Sequence, residues 1–489
     1  MLNLTTIQRY QPIIDDWPAF CDALSRPLPT AIWANPLRIT PQKLADLLAA
    51  DGIPFEPLAW HPGGFQLPAD FKPGRHWAYL AGLYQTQEAV AAVPVLLLDP
   101  QPGERVLDLC AAPGNKTAQM AVKMNSTGTV IANDINAGRM RAARQIQERL
   151  GLVNVSTTVY NGASYPNNAG LFDKILVDAP CSCEGTSRKD PDVLTRAGPD
   201  VSARAADLQL ALLRRAVHLC KPGGRIVYAT CTYAPEENEL VIHRLLEEFG
   251  PDVLHLLPAR LDGFTASPGL TRWDGRALHP SLAQTMRIWP HQNDTGGFFV
   301  ALLARTDRLT TVRQARRLDN PPDTSLPDAP PDPALLQTLS ERFGLPPDLF
   351  AGYHILQTSR KRVNITAVDH RPPRMPVPDT IGMLFMNIGM RYPKLSTAAA
   401  LMFGRAATRN VIPLTDDQLP LYLNCQPFPV SAAQTETCTG MGYVILHYRG
   451  YSLGVGRFYP AASGGRVQSL FPKGWSPDKG RPSSMQTVP

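Results

Sequence analysis

Two cysteines stand where they can do chemistry. Cys181 lies in Asp178-Ala179-Pro180-Cys181-Ser182, and Cys231 lies in Ala229-Thr230-Cys231-Thr232. Each follows a short apolar run (Lys174 to Val177, Arg225 to Ala229) of the kind that a buried parallel strand gives. Positions just past the carboxyl ends of such strands are where open α/β sheets hold their ligands. A third strand end, Val106-Leu107-Asp108, opens into Leu109-Cys110-Ala111-Ala112-Pro113-Gly114-Asn115-Lys116. This is not a G-x-G-x-x-G turn, but its small residues let the backbone approach a nucleotide-like cofactor ahead of a helix that starts near Lys116. Asp134 ends the next run, Val130 to Asp134, where an acid hydrogen-bonds ribose hydroxyls. A thiol is useful when the target is a ring carbon. C5 of cytosine is a poor nucleophile until a thiolate adds to C6, and the reaction then needs an acid near N3 and a base for the C5 proton. Two cysteines and Asp178 fit those three roles.

Holding three such loops together requires a regular sheet. From about residue 93 to 307 strands alternate with helices, with strands expected to begin at Arg105, Thr129, Ser156, Lys174, Arg225 and Phe298. Helices are expected over Ala137 to Leu150, stopped by Gly151, and over Val201 to Cys220, stopped by Pro222-Gly223-Gly224. In the second, Leu208, Leu212, Ala216 and Leu219 are expected along one buried face. The pattern is that of an α/β, doubly wound domain. Residues 1–92 read as a small α+β RNA-binding piece. Helical spacing from Leu4 to Leu24 is broken at Pro12 and Pro18, Ala31 to Ala34 reads as a strand, and Thr40 and Pro41 open a helix. Residues 308–333 read as a proline-rich linker, and 334–489 as a β-rich domain with a strand at Gly442 to Tyr448 and a frayed tail after Ser476.

Composition limits the alternatives. A chain of 489 residues, 44% hydrophobic, is globular and has more than one domain. Its net charge of +6, carried mainly by arginine, suits a polyanion held through forked phosphate contacts. No long uncharged apolar run and no leader-like start are visible, so no membrane association and a cytoplasmic location are expected. Eight irregularly spaced cysteines do not make a disulfide framework. Cys181 and Cys183 are too close for a C-x-x-C pair and no histidine cluster follows, so no metal is expected. Cys21, Cys220, Cys425 and Cys438 read as packing residues; Cys183 has no assignment.

Taken together, Asp108 to Lys116, Asp178 to Ser182 and Tyr228 to Thr232 followed by Pro235-Glu236-Glu237-Asn238-Glu239 resemble the RNA 5-methylcytosine methyltransferases of the NOL1/NOP2/Sun group. The resemblance spans roughly Pro36 to Arg305. It implies a Rossmann-like class I domain dependent on S-adenosyl-L-methionine (SAM), acting on structured RNA without an obligate protein partner. By that resemblance Cys231 is the nucleophile, Cys181 resolves the adduct as the base for the C5 proton, and Asp178 contacts the base and borders the cofactor. Cys110, Ala111, Ala112, Pro113, Gly114, Asn115 and Lys116 would form the cofactor loop, Asp134 would hold the ribose, Arg139 would complete the pocket and Asn161 would face adenine. Two positions depart from the family pattern: Asn161 replaces an acid, and Cys183 stands where a glycine is usual. Gly185 to Lys189, Arg287 to His291, Gly296 to Phe299 and segments near Gly389 to Pro393, Leu453 to Arg457 and Gln468 to Trp475 resemble the RsmF-type branch, whose C-terminal domain is PUA-like. Small-subunit ribosomal RNA is then the expected substrate. Transfer RNA, or a catalytically silent RNA-binding assembly factor on the same scaffold, are the alternatives.

Overall fold

The computed structural model describes residues 6–306, 326, 330–389, 393–462 and 464–477. The 308–333 linker therefore lies largely outside the described residues, as do part of the Gly389 to Pro393 motif and most of the tail after Ser476.

The N-terminal region begins with a 3₁₀ turn at Gln8–Ile13 and helix α1 (Trp17–Ser25). Pro12 and Pro18 do divide the expected helical stretch, but Pro18 sits in the first turn of α1, behind Asp16, whose side chain accepts from Ala19 N at 2.9 Å. Strand β1 (Thr30–Ala34), helix α2 (Pro41–Ala50, capped by Thr40), β2 (Glu56–Pro57), β3 (Gly64–Leu67), α3 (Trp77–Leu80) and β4 (Tyr84–Thr86) follow; their sheet runs β2-β3-β1-β4.

After α4 (Val93–Leu98) come β5 (Arg105–Asp108), α5 (Asn115–Lys123), β6 (Thr129–Asp134), α6 (Ala137–Leu150), β7 (Val155–Val159) and β8 (Phe172–Asp178). The chain continues through α7 (Val193–Arg196), α8 (Pro199–Leu219), β9 (Cys220–Thr230), α9 (Glu239–Phe249), β10 (Leu254–Leu257), β11 (Ser267–Pro268), the hairpin β12 (Arg272–Trp273) and β13 (Arg276–Ala277), β14 (Met286–Ile288) and β15 (Phe298–Arg305). All six strands read from the sequence are present. β5 to β9 pair in parallel, and β15 runs antiparallel to β9. From β5 the chain moves outward through β6 to β7, then returns to β8 on the other flank, so the switch point lies between β5 and β8. The pleat sorts the core into two layers. Val106, Leu176, Val227 and Ala229 pack with α5 and α6, while Leu107, Ile175, Val177, Ile226 and Tyr228 pack with α8 and α9. Leu208 of α8 is exposed, contrary to expectation, because the buried stripe runs through Ala206, Leu210, Leu213 and Val217, a face that Leu208 does not share.

Beyond the linker, a helix over Pro333–Phe343 leads to β16 (Tyr353–Ser359), β17 (Arg362–Ala367), β18 (Thr380–Ile381), β19 (Met383–Asn387) and β20 (Lys394–Leu395). β18 leaves this group and pairs antiparallel with β7, as the last strand on that edge of the ten-stranded central sheet. Strands β21 (Val411–Pro413), β22 (Phe428–Ser431), β23 (Gly442–Tyr448), β24 (Tyr451–Ala461) and β25 (Gly464–Ser469) form a five-stranded sheet. Its core is continuous with that of the N-terminal region, where Tyr448 meets the edge of Trp77 and Arg449 pairs with Asp51. The β-rich C-terminal segment thus consists of two sheets, one lodged on the central domain and one against the N-terminal region. No described helix is long and apolar enough to cross a membrane.

Candidate active site

The loop after β5 is held by backbone. Ala111 N donates to Asn133 O at 2.7 Å and Ala112 N to Asp134 Oδ2 at 3.2 Å. Gly114 caps α5 with φ 105°, and a Cβ there would lie 2.6 Å from the Ala143 methyl, so both conformation and space require glycine. Asp134, buried at the end of β6, also accepts from Asn136 N at 2.8 Å, which leaves each carboxylate oxygen further capacity for a ribose hydroxyl. Arg139 is half exposed and braces the loop from outside, donating to Ala112 O at 2.6 Å and lying 4.0 Å from Asp134. Asn115 accepts from Gln85 of the N-terminal region. Asn161 is exposed, and its Oδ1 accepts from Ala163 N at 3.0 Å, closing the turn that places Gly162 against Leu109. Beneath the loop, Asp108 accepts from Thr117 Oγ1 at 2.6 Å; burial pushes its pKa up to about 7, and its other oxygen has no partner among the described residues. Burial, then the neighbouring acids, pushes the Cys110 thiol well up.

Lys116 does not point at the loop it ends. Its Nζ donates to Asp178 Oδ2 at 2.7 Å and lies 5.2 Å from the centre of the Phe298 ring. Burial opposes the ammonium, but Asp178 outweighs it and holds the pKa above the ordinary lysine value. The ion pair spans the switch point and joins the cofactor loop to the strand that leads into Cys181.

The two expected thiols converge: Cys181 Sγ and Cys231 Sγ are 3.4 Å apart. Cys183 joins them, 4.0 Å from Cys181, and the three sulfurs all lie within 4.8 Å of one another. Cys183 adopts the left-handed conformation (φ 62°), at a cost of roughly 1–2 kcal/mol relative to glycine; the turn folds its Sγ back to 3.3 Å from Cys181 O. Hydrogen bonds from Cys181 and Cys231 hold the Cys183 thiol well below the ordinary thiol range. Cys181 is pushed well above it by its hydrogen bonds to Cys183 and Cys231, then by burial. At Cys231 the hydrogen bond with Cys181 pulls downward, but Cys183 and burial outweigh it and leave the thiol high. The three sulfurs are close enough that their deprotonation steps belong to the cluster and not to any one thiol.

A polar frame fixes both cysteine loops. Glu237 accepts from Ser182 N at 3.0 Å and from Gln209 Nε2 at 2.8 Å, and Gln209 also donates to Pro180 O. Ser182 Oγ and Thr232 Oγ1 share a 2.7 Å hydrogen bond. Asn238 receives a hydrogen bond from Thr230 and donates to Thr232 O, bracketing Cys231. Buried Glu184 accepts from Thr232 Oγ1, Tyr233 N and, across the molecule, Tyr10 OH at 2.9 Å. Gly185 donates to Cys231 O at 2.9 Å, and a Cβ at Gly185 would meet Gly297 O at 2.2 Å. Buried Glu239 pairs with Arg287. The sequence marked the stretch Pro235 to Glu239 without assigning these contacts, and nothing in it marked Tyr10 or Gln209. Arg188, whose side chain is 1% exposed, is not a free basic contact: it clamps Pro27 O, Asp294 and Thr295 O.

The chain has relatives among known proteins. The family model described as 16S rRNA methyltransferase RsmB/F matches residues 95–304, and the N-terminal domain of 16S rRNA methyltransferase RsmF matches residues 2–89. The ribosomal RNA small subunit methyltransferase F of Shewanella amazonensis is 36% identical over 315 residues, covering 63% of this chain and 63% of that protein. A 28S rRNA (cytosine-C(5))-methyltransferase of Mus musculus is 38% identical over 288 residues, 58% of this chain and 36% of that protein. The chain thus spans well under the full length of either. A solved methyltransferase homolog from Pyrococcus horikoshii is 35% identical, with a TM-score of 0.53 over 59% of this chain and 90% of its own. The chain belongs to the RsmB/F methyltransferase family.

Proposed function

We propose that the protein methylates C5 of cytosine in ribosomal RNA, most specifically small-subunit RNA, with SAM as methyl donor. The observation that carries this reading is the pair Cys181 and Cys231, 3.4 Å apart at adjacent strand ends beside the Lys116–Asp178 ion pair. The names of the relatives from Shewanella and mouse give the substrate class.

The residues present fit the cofactor. Gly114 lets the loop close on α6, Asp134 retains acceptor capacity for a ribose, Arg139 and residues Cys110 to Asn115 form the wall, and Asn161 stands at the far side for adenine. SAM would supply a methyl group on a sulfonium, an electrophile that needs only a nucleophilic carbon. Cys231 makes that carbon: its sulfur, once deprotonated, adds to C6 of the cytosine, and the electron density reaches C5. Asp178, held by Lys116, faces the polar edge of the base. After methyl transfer, Cys181 takes the C5 proton and the Cys231–C6 bond breaks, returning the electron pair to sulfur and restoring the ring. Frozen orientation of the loops by Glu184, Glu237 and Asn238 serves each step. We assign RNA grip to the outer regions, with division at residues 92, 307 and 333. The five-stranded sheet, read as PUA-like, presents exposed Arg457 and Arg466 around Tyr459.

The test separates the thiols. Cys231→Ala abolishes methylation and leaves no covalent RNA adduct. Cys181→Ala still attacks and accumulates a methylated protein–RNA complex that survives denaturing electrophoresis. An adduct formed by Cys231→Ala but not by Cys181→Ala overturns both roles. Continued turnover in both variants leaves the two sulfurs as packing residues and overturns the covalent mechanism, and bisulfite sequencing of RNA from a deletion strain distinguishes a ribosomal from a transfer RNA target.

A further inference from the structure

The third sulfur has no part in this chemistry. Cys183 stands at a left-handed position (φ 62°) where glycine would sit without strain, yet the chain keeps a thiol there. The turn brings its sulfur into a triangle with Cys181 and Cys231, with sides of 4.0 and 3.4 Å to Cys181 and all sulfurs within 4.8 Å. Tetrahedral zinc bound by thiolates at ~2.3 Å requires sulfur–sulfur edges of about 3.8 Å. Two of the observed sides lie within about 0.4 Å of that edge and the third is no longer than 4.8 Å, so an ion can sit over the triangle once the sulfurs shift by up to about 1 Å. All three cysteines are partly exposed, which gives an ion access and leaves a fourth position for water. Three thiolates around a divalent ion leave one excess negative charge, and the Lys116 ammonium acts on Cys231 while Arg139 and Arg196 act on Cys183. Sulfur donors alone, with no carboxylate in the triangle, select a thiophilic cation over magnesium or calcium.

We propose that Cys181, Cys183 and Cys231 together form a binding site for a thiophilic divalent d¹⁰ cation, zinc being the common member of that class in cells, and that its occupancy withdraws Cys231 from methyl transfer. The second half rests on the nucleophilic role proposed above for Cys231; the first does not. The site supplies a means of silencing the enzyme that two cysteines alone would supply only weakly.

The full-length reduced protein is titrated anaerobically with cadmium, read by the sulfur-to-metal charge-transfer absorption, and with zinc against a chromophoric chelator. One ion per chain is expected, with magnesium without effect. Cys183→Gly removes one ligand while relaxing the backbone, so its fold is preserved; its affinity is expected to fall at least 100-fold. Cys438→Ser, which removes a distant thiol, is expected to bind as the parent does. Absence of stoichiometric charge-transfer absorption, unchanged affinity in Cys183→Gly, or equal loss in Cys438→Ser overturns the site. In methylation assays, zinc at the concentration that fills the site is expected to abolish turnover, and Cys183→Gly to require at least 100-fold more zinc relative to its own uninhibited rate. Turnover that persists in fully zinc-loaded protein overturns the silencing role. A protein inactive before any metal is added overturns the functional reading instead, and the cadmium titration still decides the site.

Discussion

The two regions that flank the central sheet attach to it in different ways. The N-terminal region reaches in behind the thiols: Tyr10 donates to Glu184, Arg9 pairs with Glu236, and Ile7, Tyr10, Phe20 and Leu24 pack against Tyr233 and Trp289. Glu88 accepts from Gly296 N at 2.7 Å, next to the Gly185–Gly297 contact that closes the Cys231 loop. The C-terminal region touches the same sheet at its opposite edge, through β18 on β7, with β6, β5 and β8 lying between that edge and β9. There Ser156 and His370 share a buried 2.7 Å hydrogen bond, and Gln147 donates to Gly382 O at 2.8 Å. One region braces the cysteine loops, and the other meets the sheet four strands away from β9. Family resemblance alone treats both as RNA-binding appendages; the contacts do not.

The largest effect expected from this contrast is at Glu184. Glu184→Ala strands Tyr10 OH and Tyr233 N in a buried site and leaves Thr232 Oγ1 with Ser182 and Ala234 N alone, and each unsatisfied group costs about 1–3 kcal/mol. Denaturant unfolding is expected to show a loss of several kcal/mol, and single-turnover methylation a slowing of at least tenfold with RNA affinity unchanged. An equal loss of RNA affinity erases the distinction between the regions.

Next is the pH dependence of stability, which has opposite sign in the two places. Burial lowers the folded pKa of His370 to about 3, so between pH 6.5 and 3 the unfolded chain takes a proton that the folded one refuses, and stability falls as the pH falls. Burial raises Asp108 to about 7, so between pH 4 and 7 the folded chain keeps a proton that the unfolded one has lost, and stability falls as the pH rises. Each contributes on the order of a few kcal/mol. Melting temperatures measured across pH should show an acid limb that flattens in His370→Gln and a limb toward neutrality that flattens in Asp108→Asn. If either variant flattens the other's limb, the assignment of seam and centre is reversed.

The smallest effect belongs to the exposed five-stranded sheet. Arg457→Ala and Arg466→Ala are each expected to weaken RNA binding several-fold, to lower the salt slope by about one, and to leave SAM binding unchanged in calorimetry. An unchanged salt slope in both removes this face from the RNA path. Truncation after residue 333 is a poorer test, because it also strips β18 from the central sheet and buried partners from Val153 and Ser156.

Much of the centre was legible because its signals are local. Strand ends, the small-residue turn and the helix stops each occupy a few contiguous residues, so the six strands and the pair Cys181 and Cys231 could be read directly. Cys183 could not, since nothing in Cys-Ser-Cys announces a left-handed turn that folds the second sulfur back on the first. Arg188 looks like a solvated basic residue until Pro27 and Asp294 arrive from far along the chain. Asp108 shows its acid but not its burial. The seam was hidden for a similar reason. Thr380–Ile381 is a two-residue strand, too short for any periodicity, and its partner Ser156 is more than two hundred residues away.

That short strand bears on how the protein is made. Synthesis delivers β7 long before β18, so a nascent chain that has released the whole methyltransferase domain still offers an unpaired row of amides and carbonyls from Val155 to Val159. Such a row is a template for any passing extended segment, another ribosome's product included. Only when residue 381 has left the exit tunnel can Thr380 and Ile381 occupy it, and a stall anywhere in the intervening stretch leaves an enzyme-shaped intermediate that is prone to aggregate.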